Sequence, residues 1–166
     1  LNVLRILFGL QHIQNALFVM KRNNTTDMNN NNNDNRVPRV VIVGGGFGGL
    51  EVAKTLAGKE VDVLMLDKNN YHTFQPLLYQ VATGSLQAES IAFSLRKNFD
   101  SQKNFRFRIG ELSKVIPEKN TIETTIGDFE YDYLVIATGS TTNFFGNNYI
   151  EYNAMSMKLI PEALNL

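Results

Sequence analysis

The feature that most constrains the fold of this chain is a glycine-rich turn between an apolar strand and a helix. Residues 40–43 are an unbroken run of Val and Ile, typical of a parallel strand that is buried on both faces. Residues 44–49 are glycine except at one position, and residues 50–57 then place apolar side chains at helical spacing. A second apolar strand, residues 61–66, ends on Asp67. This order of strand, helix and strand within about thirty residues predicts a mononucleotide-binding unit.

The spacing of three glycines matches what such a unit requires of its turn. Gly44 permits the sharp turn off the strand, Gly46 lets a pyrophosphate approach the backbone, and Gly49 lets the helix pack closely on the strand. The start of the helix presents unpaired N–H groups to the phosphates. Asp67 follows Gly49 by 18 residues, where a carboxylate accepts hydrogen bonds from ribose hydroxyls and repels a 2′-phosphate. The complete context predicts a dinucleotide site, which a glycine-rich turn alone would not.

The segment after Asp67 favours a flavin site over a nicotinamide site. Residues 68–84 form a long excursion in place of another short repeat of strand and helix, and a long loop in a compact domain usually has a function. Apolar positions between residues 86 and 99 then predict a helix, with Ser85 as its N-cap.

The remaining residues predict short strands and a return to the first sheet. Residues 105–109 alternate like a strand, and residues 112–116 and 121–126 read as a hairpin, so a β-meander is expected near 105–130. The next predicted strand, residues 133–137, is fully apolar and is followed by the small residues Thr138 and Gly139. The predicted fold class is α/β, a Rossmann-like domain with a parallel sheet and a β-meander crossover, its last strand beside its first. The other predicted elements are strands near 39–44, 61–67 and 132–138 and a helix near 48–57.

Composition excludes several classes of partner and site. The 16 Lys and Arg balance the 16 Asp and Glu, so the chain lacks the basic surface that a nucleic-acid-binding protein needs. The absence of cysteine excludes thiolate metal sites, and two histidines are too few for a histidine-rich metal site. We therefore predict no metal site and no nucleic-acid partner.

The two ends of the sequence predict a piece of a longer protein. The chain begins with Leu1 instead of Met, and it closes on a segment that resembles the start of a helix. Residues 1–36 are expected to be a disordered or non-native N-terminal extension, since they include a low-complexity run of Asn. Residues 37–146 are expected to form the first part of the nucleotide-binding domain, and residues 147–166 the start of a linker or helix toward a further domain.

Three motifs resemble those of a known family. They are VIVGGGFGGL at residues 41–50, YHTFQPLLYQVATG at residues 71–84 and YDYLVIATGS at residues 131–140. The first and third are shared by flavoproteins with two dinucleotide-binding domains, and the middle one is more specific. Together they resemble the N-terminal part of bacterial type II NADH dehydrogenases, single-subunit flavoenzymes that pass electrons from NADH to quinone. The resemblance covers about residues 37–166 and implies a domain truncated before the NADH domain.

The resemblance implies which residues surround FAD. The glycine-rich turn holds the pyrophosphate, the end of the second strand faces the adenosine ribose, and a backbone group at Leu112 holds adenine. The middle motif lines the flavin side, and the end of the last strand makes the second contact. His72 is expected to be a packed or hydrogen-bonded structural residue. The implied cofactor-binding residues are Gly44, Gly45, Gly46, Phe47, Gly48, Gly49, Asp67, Lys68, Gln75, Pro76, Leu112, Ala137, Thr138 and Gly139.

The resemblance also implies an activity and a location. FAD would transfer electrons from the co-substrate NADH to a membrane quinone, and since the cofactor carries the difficult step, no catalytic residue is implied in this chain. The implied location is the cytoplasmic face of the bacterial inner membrane, held peripherally through a part beyond residue 166. A homodimer is left open.

Three alternative functions are also left open. A sulfide:quinone oxidoreductase and a disulfide reductase share the FAD scaffold, but both use cysteine thiols. The segment in which a disulfide reductase carries its first redox pair has none, which disfavours that class more firmly than sulfide oxidation. A non-catalytic nucleotide-binding or redox-sensing module is the third alternative.

Overall fold

The structure, a computed structural model, describes residues 18–22 and 36–166. The strands in these ranges are β1 (Phe18–Lys21), β2 (Arg39–Val43), β3 (Asp62–Asp67), β4 (Tyr71–Thr73), β5 (Ala92–Ser94), β6 (Phe105–Ile109), β7 (Leu112–Ile116), β8 (Thr121–Thr124), β9 (Gly127–Glu130) and β10 (Tyr133–Ile136). The α-helices are α1 (Phe47–Leu56), α2 (Leu78–Ala82), α3 (Leu95–Asn98), α4 (Asn148–Asn153) and α5 (Ile160–Leu164), and short 3-10 turns lie at Gln75–Leu77, Ala88–Ser90 and Pro117–Lys119.

The central sheet has the strand order β1, β10, β2, β3, β6. β10, β2, β3 and β6 run parallel to one another, and β1 pairs antiparallel with β10. Val40, Val41 and Ile42 of β2 are fully buried, because the sheet is covered on both faces. The sequence predicted that the strand near 132–138 lies beside the strand near 39–44, and the parallel pairing of β10 with β2 confirms this.

Two layers cover this sheet. On one face α1, which connects β2 to β3, packs Val52 and Leu56 into a cluster with alternate residues of β2 and β3. On the other face the three-stranded sheet of β7, β8 and β9 packs Ile122 against the opposite side chains of the same strands. Each Val or Leu buried in this way contributes roughly 1.5 to 3 kcal/mol to folding. The two layers hold β2 in the centre, so its carboxyl end has a fixed position.

The predicted meander is shorter than expected, because residues 105–109 belong to the central sheet. They form β6, which pairs in parallel with β3 at the edge of the sheet. Phe107 is buried while its neighbours Arg106 and Arg108 are exposed. A parallel edge strand with one face on the core alternates just as a meander strand does, so the pattern alone did not separate the two. The observed meander covers residues 112–130.

The predicted helix over residues 86–99 is wrong. The chain there forms a 3-10 turn, then β5 paired antiparallel with β4, then the short helix α3. Ile91 and Leu95 have helical spacing, but Ile91 packs with α2 and α5 while Leu95 packs with α1 and β3. Ser94 is the observed N-cap in place of Ser85, since its hydroxyl oxygen accepts the N–H of Lys97 at 3.4 Å.

The prediction for residues 1–36 differs from the structure at Phe18–Lys21. These residues form β1, with Val19 packed on one face of the sheet and Met20 on the other. The strand is continued by a hydrogen bond of 2.8 Å from the N–H of Arg22 to the carbonyl of Asp132. Residues 1–17 and 23–35 lie outside the described residues.

The C-terminal residues pack against the excursion that follows β3. Ile160 and Ala163 of α5 contact the cluster that contains Leu78 and Val81 of α2. Whether residues 147–166 lead to a further domain stays a prediction. Among the helices of residues 36–166, none has the length and apolarity to cross a membrane.

Candidate functional site

The candidate site lies where three parallel strands end side by side. β2 continues into the glycine turn, β3 ends on Asp67, and β10 continues into residues 137–139. The N–H of Gly44 donates to the carbonyl of Leu66 at 2.7 Å, and the N–H of Ala137 donates to the carbonyl of Val43 at 2.7 Å. These bonds hold the three strand ends together, so the residues predicted from separate motifs meet at one edge of the sheet. Ligands of open α/β sheets bind outside the carboxyl ends of the strands.

Gly44 and Gly49 are required by the fold itself. Gly44 has a φ of +107°, and a Cβ there would overlap the carbonyl oxygen of Ala137. A Cβ on Gly49 would overlap the carbonyl oxygen of Gly44. The predicted roles of these two glycines, a sharp turn and close packing, agree with this geometry.

Gly46 is different, because the fold does not require it to lack a side chain. Its φ of −72° and ψ of −171° are accessible to any residue, and a Cβ would find no described atom within 4 Å. The first backbone bond of α1 runs from the N–H of Leu50 to the carbonyl of Gly46 at 2.9 Å. Among the described residues no side chain caps this end of the helix, so its first amides are left for a ligand. The open space and the amides fit a pyrophosphate.

The carboxylate of Asp67 accepts a hydrogen bond from the glycine turn and can still accept further hydrogen bonds from a ligand. Its Oδ2 accepts the N–H of Gly45 at 2.6 Å, and its Oδ1 accepts the N–H of Asn69 at 2.7 Å. A carboxylate offers about four lone pairs, so each oxygen can still accept a hydroxyl. Asp67 is half-buried and Lys68 is exposed beside it. The structure therefore adds a role that the sequence did not predict, since Asp67 also orients the glycine turn.

His72 is the second residue that holds this turn. It lies on β4, is 6% exposed, and its Nδ1 lies 3.0 Å from the carbonyl oxygen of Gly45. Its ring and that of Phe47 form a T-shaped pair with 4.8 Å between centroids, and the rings of Phe47 and Phe74 form another at 5.6 Å. The expectation of a packed, hydrogen-bonded histidine is confirmed. Its partner, 27 residues away in sequence, could not be predicted from the motif.

The other predicted residues lie around the same edge with fewer contacts. Gln75 and Pro76 are exposed on the 3-10 turn that directly follows Phe74. Leu112 is half-buried at the start of β7, two residues after Gly110, whose N–H donates to the backbone carbonyl of Asp67 at 2.9 Å. Their contacts with a cofactor stay predictions.

The end of β10 offers backbone in an exposed position. Ala137 is buried, whereas Thr138 and Gly139 are exposed, and Gly139 has a φ of +73°. Ser140 follows and accepts a hydrogen bond from Nζ of Lys158 at 2.5 Å, which ties this loop to the segment before α5.

Two shifted pKa values belong to groups that support the surrounding structure. Hydrogen bonds from the Ser156 side chain and from the backbone of Lys158 lower the pKa of the Glu162 carboxyl. Burial raises the pKa of Tyr131, and the charge of Glu118 adds to the effect. Tyr131 packs between the meander and the central sheet, and Glu162 caps α5, so both act through structure.

Comparison with known proteins places this geometry in a family. Residues 38–160 match the family model described as pyridine nucleotide-disulphide oxidoreductase. The chain belongs to this family.

Two curated relatives of this chain share one name, type II NADH:quinone oxidoreductase. The chain is 42% identical over 132 residues to the type II NADH:quinone oxidoreductase NdhA of Mycobacterium tuberculosis, a match that covers 77% of this chain and 28% of the relative. It is 32% identical to a type II NADH:quinone oxidoreductase of Haemophilus influenzae, and this match covers 75% of this chain and 32% of the relative. The chain thus spans about a third or less of the length of the curated relatives it matches.

Solved structures share the fold of this family member. NDH2 from Plasmodium falciparum, in complex with NADH, has a TM-score of 0.72 at 29% identity, with 78% of this chain and 28% of that chain covered. The sulfide:quinone oxidoreductase of Aquifex aeolicus has a TM-score of 0.69 at 31% identity, with 77% and 30% covered.

Proposed function

We propose that this chain forms the FAD-binding part of an enzyme that transfers electrons from NADH to a quinone. The observation that carries the proposal is the open space at Gly46, next to the free amides of α1 and to Asp67. The fold does not need that space, whereas a bound pyrophosphate does. The names of the curated relatives supply the reaction class.

Each part of the site has a proposed contact with FAD. The backbone of residues 44–49 would hold the pyrophosphate, and Asp67 with Lys68 would hold the adenosine ribose. A backbone group at Leu112 would hold adenine. Gln75 and Pro76 would line the flavin, and the backbone of residues 137–139 would make the second contact. When bound, FAD supplies the redox chemistry that links a nicotinamide to a quinone.

The chain's own residues then bind and orient without acting as a nucleophile or base. Asp67 accepts ribose hydroxyls and disfavours a 2′-phosphate in the same position. The glycine turn and the start of α1 donate N–H groups to the phosphates. We propose no catalytic residue in residues 36–166.

We further propose that the protein meets its quinone at the cytoplasmic face of a bacterial inner membrane, as a peripheral protein, and that NADH is its co-substrate. The support is the quinone in the names of its relatives, since respiratory quinones are membrane lipids. A homodimer stays a prediction, which the mass of the purified protein in solution tests.

Sulfide oxidation is the weaker candidate. It is favoured by the similarity to the Aquifex aeolicus enzyme, but the 166 residues contain no cysteine, so no thiol chemistry runs through this chain. The curated relatives named above favour NADH as electron donor.

Substitution of Gly46 tests the proposal. Gly46→Val fills the open space without straining the backbone, so we expect normal folding and a loss of FAD affinity of about 100-fold or more. FAD titration monitored by flavin fluorescence measures the affinity, and circular dichroism measures folding.

Two further variants control for effects on the helix. Lys54→Val adds the same β-branched side chain on the exposed face of α1, and we expect its FAD affinity to match that of the wild type. Gly49→Ala is expected to destabilise the fold itself, since its Cβ meets backbone. Wild-type FAD affinity in Gly46→Val would count against the proposal.

A further inference from the structure

Gly45 is held from the protein side by two side chains, one on each of its two peptide groups. The N–H of Gly45 donates to Oδ2 of Asp67 at 2.6 Å, and the carbonyl of Gly45 lies 3.0 Å from Nδ1 of His72. A carbonyl oxygen only accepts, so Nδ1 of His72 carries the proton and donates. The backbone ladder of α1 begins one residue later, at the carbonyl of Gly46. His72 therefore supplies the donor that the helix does not.

Because of the planar geometry of the peptide bond, the contact of His72 with the Gly45 carbonyl also determines the direction of the Gly46 N–H. The carbonyl of Gly45 and the N–H of Gly46 belong to one planar unit, and in a trans peptide they point in opposite directions. The described residues contain no cis peptide. When His72 fixes the carbonyl toward the protein, it fixes the N–H of Gly46 on the opposite side. Gly46 itself borders open space, since a Cβ there would meet no described atom within 4 Å, and the proposed function places a phosphate beside its N–H.

His72 is itself held firmly enough to do this. It is 6% exposed, its backbone pairs with Phe93 between β4 and β5, and its ring packs against that of Phe47 in a T-shaped arrangement. Since Phe47 is the first residue of α1, His72 contacts the residues on both sides of Gly46. Glycine loses the most conformational freedom on ordering, so a run of glycines gains most from an external anchor.

We propose that His72 is a positioning residue for the nucleotide site: through the Gly45 carbonyl it sets the direction of the Gly46 N–H that donates to the pyrophosphate. This inference rests on the proposed function. It assigns to His72 no contact with the cofactor and no proton transfer.

A pair of substitutions at His72 separates this role from packing. Asn places an amide N–H close to the position of Nδ1, whereas Leu fills space without a donor. We expect His72→Leu to raise the dissociation constant for FAD about 10-fold, as for a lost buried hydrogen bond. His72→Asn should stay within about threefold of the wild type. Leu56→Ala, a core substitution at the far end of α1, controls for general loss of stability.

Amide relaxation in the FAD-free protein gives a readout that does not depend on binding. We expect the Gly46 N–H to be ordered in the wild type and in His72→Asn, and to become mobile in His72→Leu while Leu56→Ala leaves it ordered. An ordered Gly46 amide in His72→Leu, or an equal loss of FAD affinity in Leu56→Ala, would overturn the role of His72. Absence of FAD binding in the wild type would overturn the proposed function instead, and the relaxation data would still decide the role of His72.

Discussion

Gly44, Gly46 and Gly49 share a residue type and differ in what their missing side chains permit. At Gly44 and Gly49 the protein's own backbone occupies the space, whereas at Gly46 the space is open. A sequence pattern assigns a role to all three, but only the structure separates the two that the fold needs from the one at which the proposed nucleotide would need the space. This contrast is what makes Gly46 a test of function and Gly49 a test of folding.

Asp67 combines an observed structural role with a proposed role in nucleotide binding. Asp67→Ala removes the proposed acceptor for ribose and also leaves the N–H groups of Gly45 and Asn69 without their partner. We expect FAD binding to weaken by about 1–3 kcal/mol, the usual cost of an unpaired buried group, together with a loss of stability in urea unfolding. Asp67→Asn keeps one carbonyl acceptor and should lose less of both. Unchanged FAD affinity in Asp67→Ala would contradict the placement of the ribose.

At the scale of the elements, α5 depends on a carboxylate near its N-terminus. Oε2 of Glu162 accepts the N–H groups of Lys158 at 2.7 Å and of Leu159 at 3.0 Å. The hydrogen bond from Ser156, followed by that from Lys158, lowers the pKa of Glu162 in the folded protein. Its contribution to stability is therefore present above the unfolded-state pKa and is lost as the pH falls through the folded-state pKa.

The Glu162→Gln variant tests this dependence. We expect it to lower the free energy of unfolding at neutral pH by about 0.5 kcal/mol, a small value because the group is partly open to solvent. Below the folded-state pKa the variant and the wild type should converge. Ser156→Ala, which removes the leading cause of the shift, should change stability in the same direction. Urea unfolding across a pH series measures both, and a difference that persists in acid would contradict the carboxylate's role.

The elements differ in how far the sequence predicted them. The buried parallel strands follow from unbroken apolar runs such as residues 40–43, because burial on both faces leaves no other pattern. The predicted helix around Ile91 and Leu95 is wrong, because the residues between them form β5, which pairs with β4 despite the helical spacing of the two apolar residues. In the site, the glycine turn and Asp67 were predictable from local spacing. The bond from His72 to Gly45 was not, since it joins a side chain to a distant backbone atom.

At the scale of the whole molecule, the described residues include the proposed nucleotide site and several strongly exposed apolar side chains. Phe145 and Tyr152 are each 90% exposed, and Tyr149 is 77% exposed. The 166 residues contain one G-x-G-x-x-G pattern, at residues 44–49. An enzyme that brings a nicotinamide to a flavin needs a place for each nucleotide. We therefore expect the 166-residue chain by itself to show no NADH:quinone turnover, and its exposed apolar side chains predict aggregation at high protein concentration.

A chimera tests this expectation. Residues 38–160, the part that matches the family, would replace the corresponding part of the Mycobacterium tuberculosis relative, to which the chain is 42% identical. We expect the chimera to bind FAD tightly and to reduce quinone with NADH, and we expect Gly46→Val within it to abolish both. Assays of NADH-dependent quinone reduction on the chimera and on the 166-residue chain, side by side, decide the outcome. Turnover by the 166-residue chain would show that both nucleotides bind within it. A chimera that folds but does not bind FAD would contradict the proposed pyrophosphate site at Gly46.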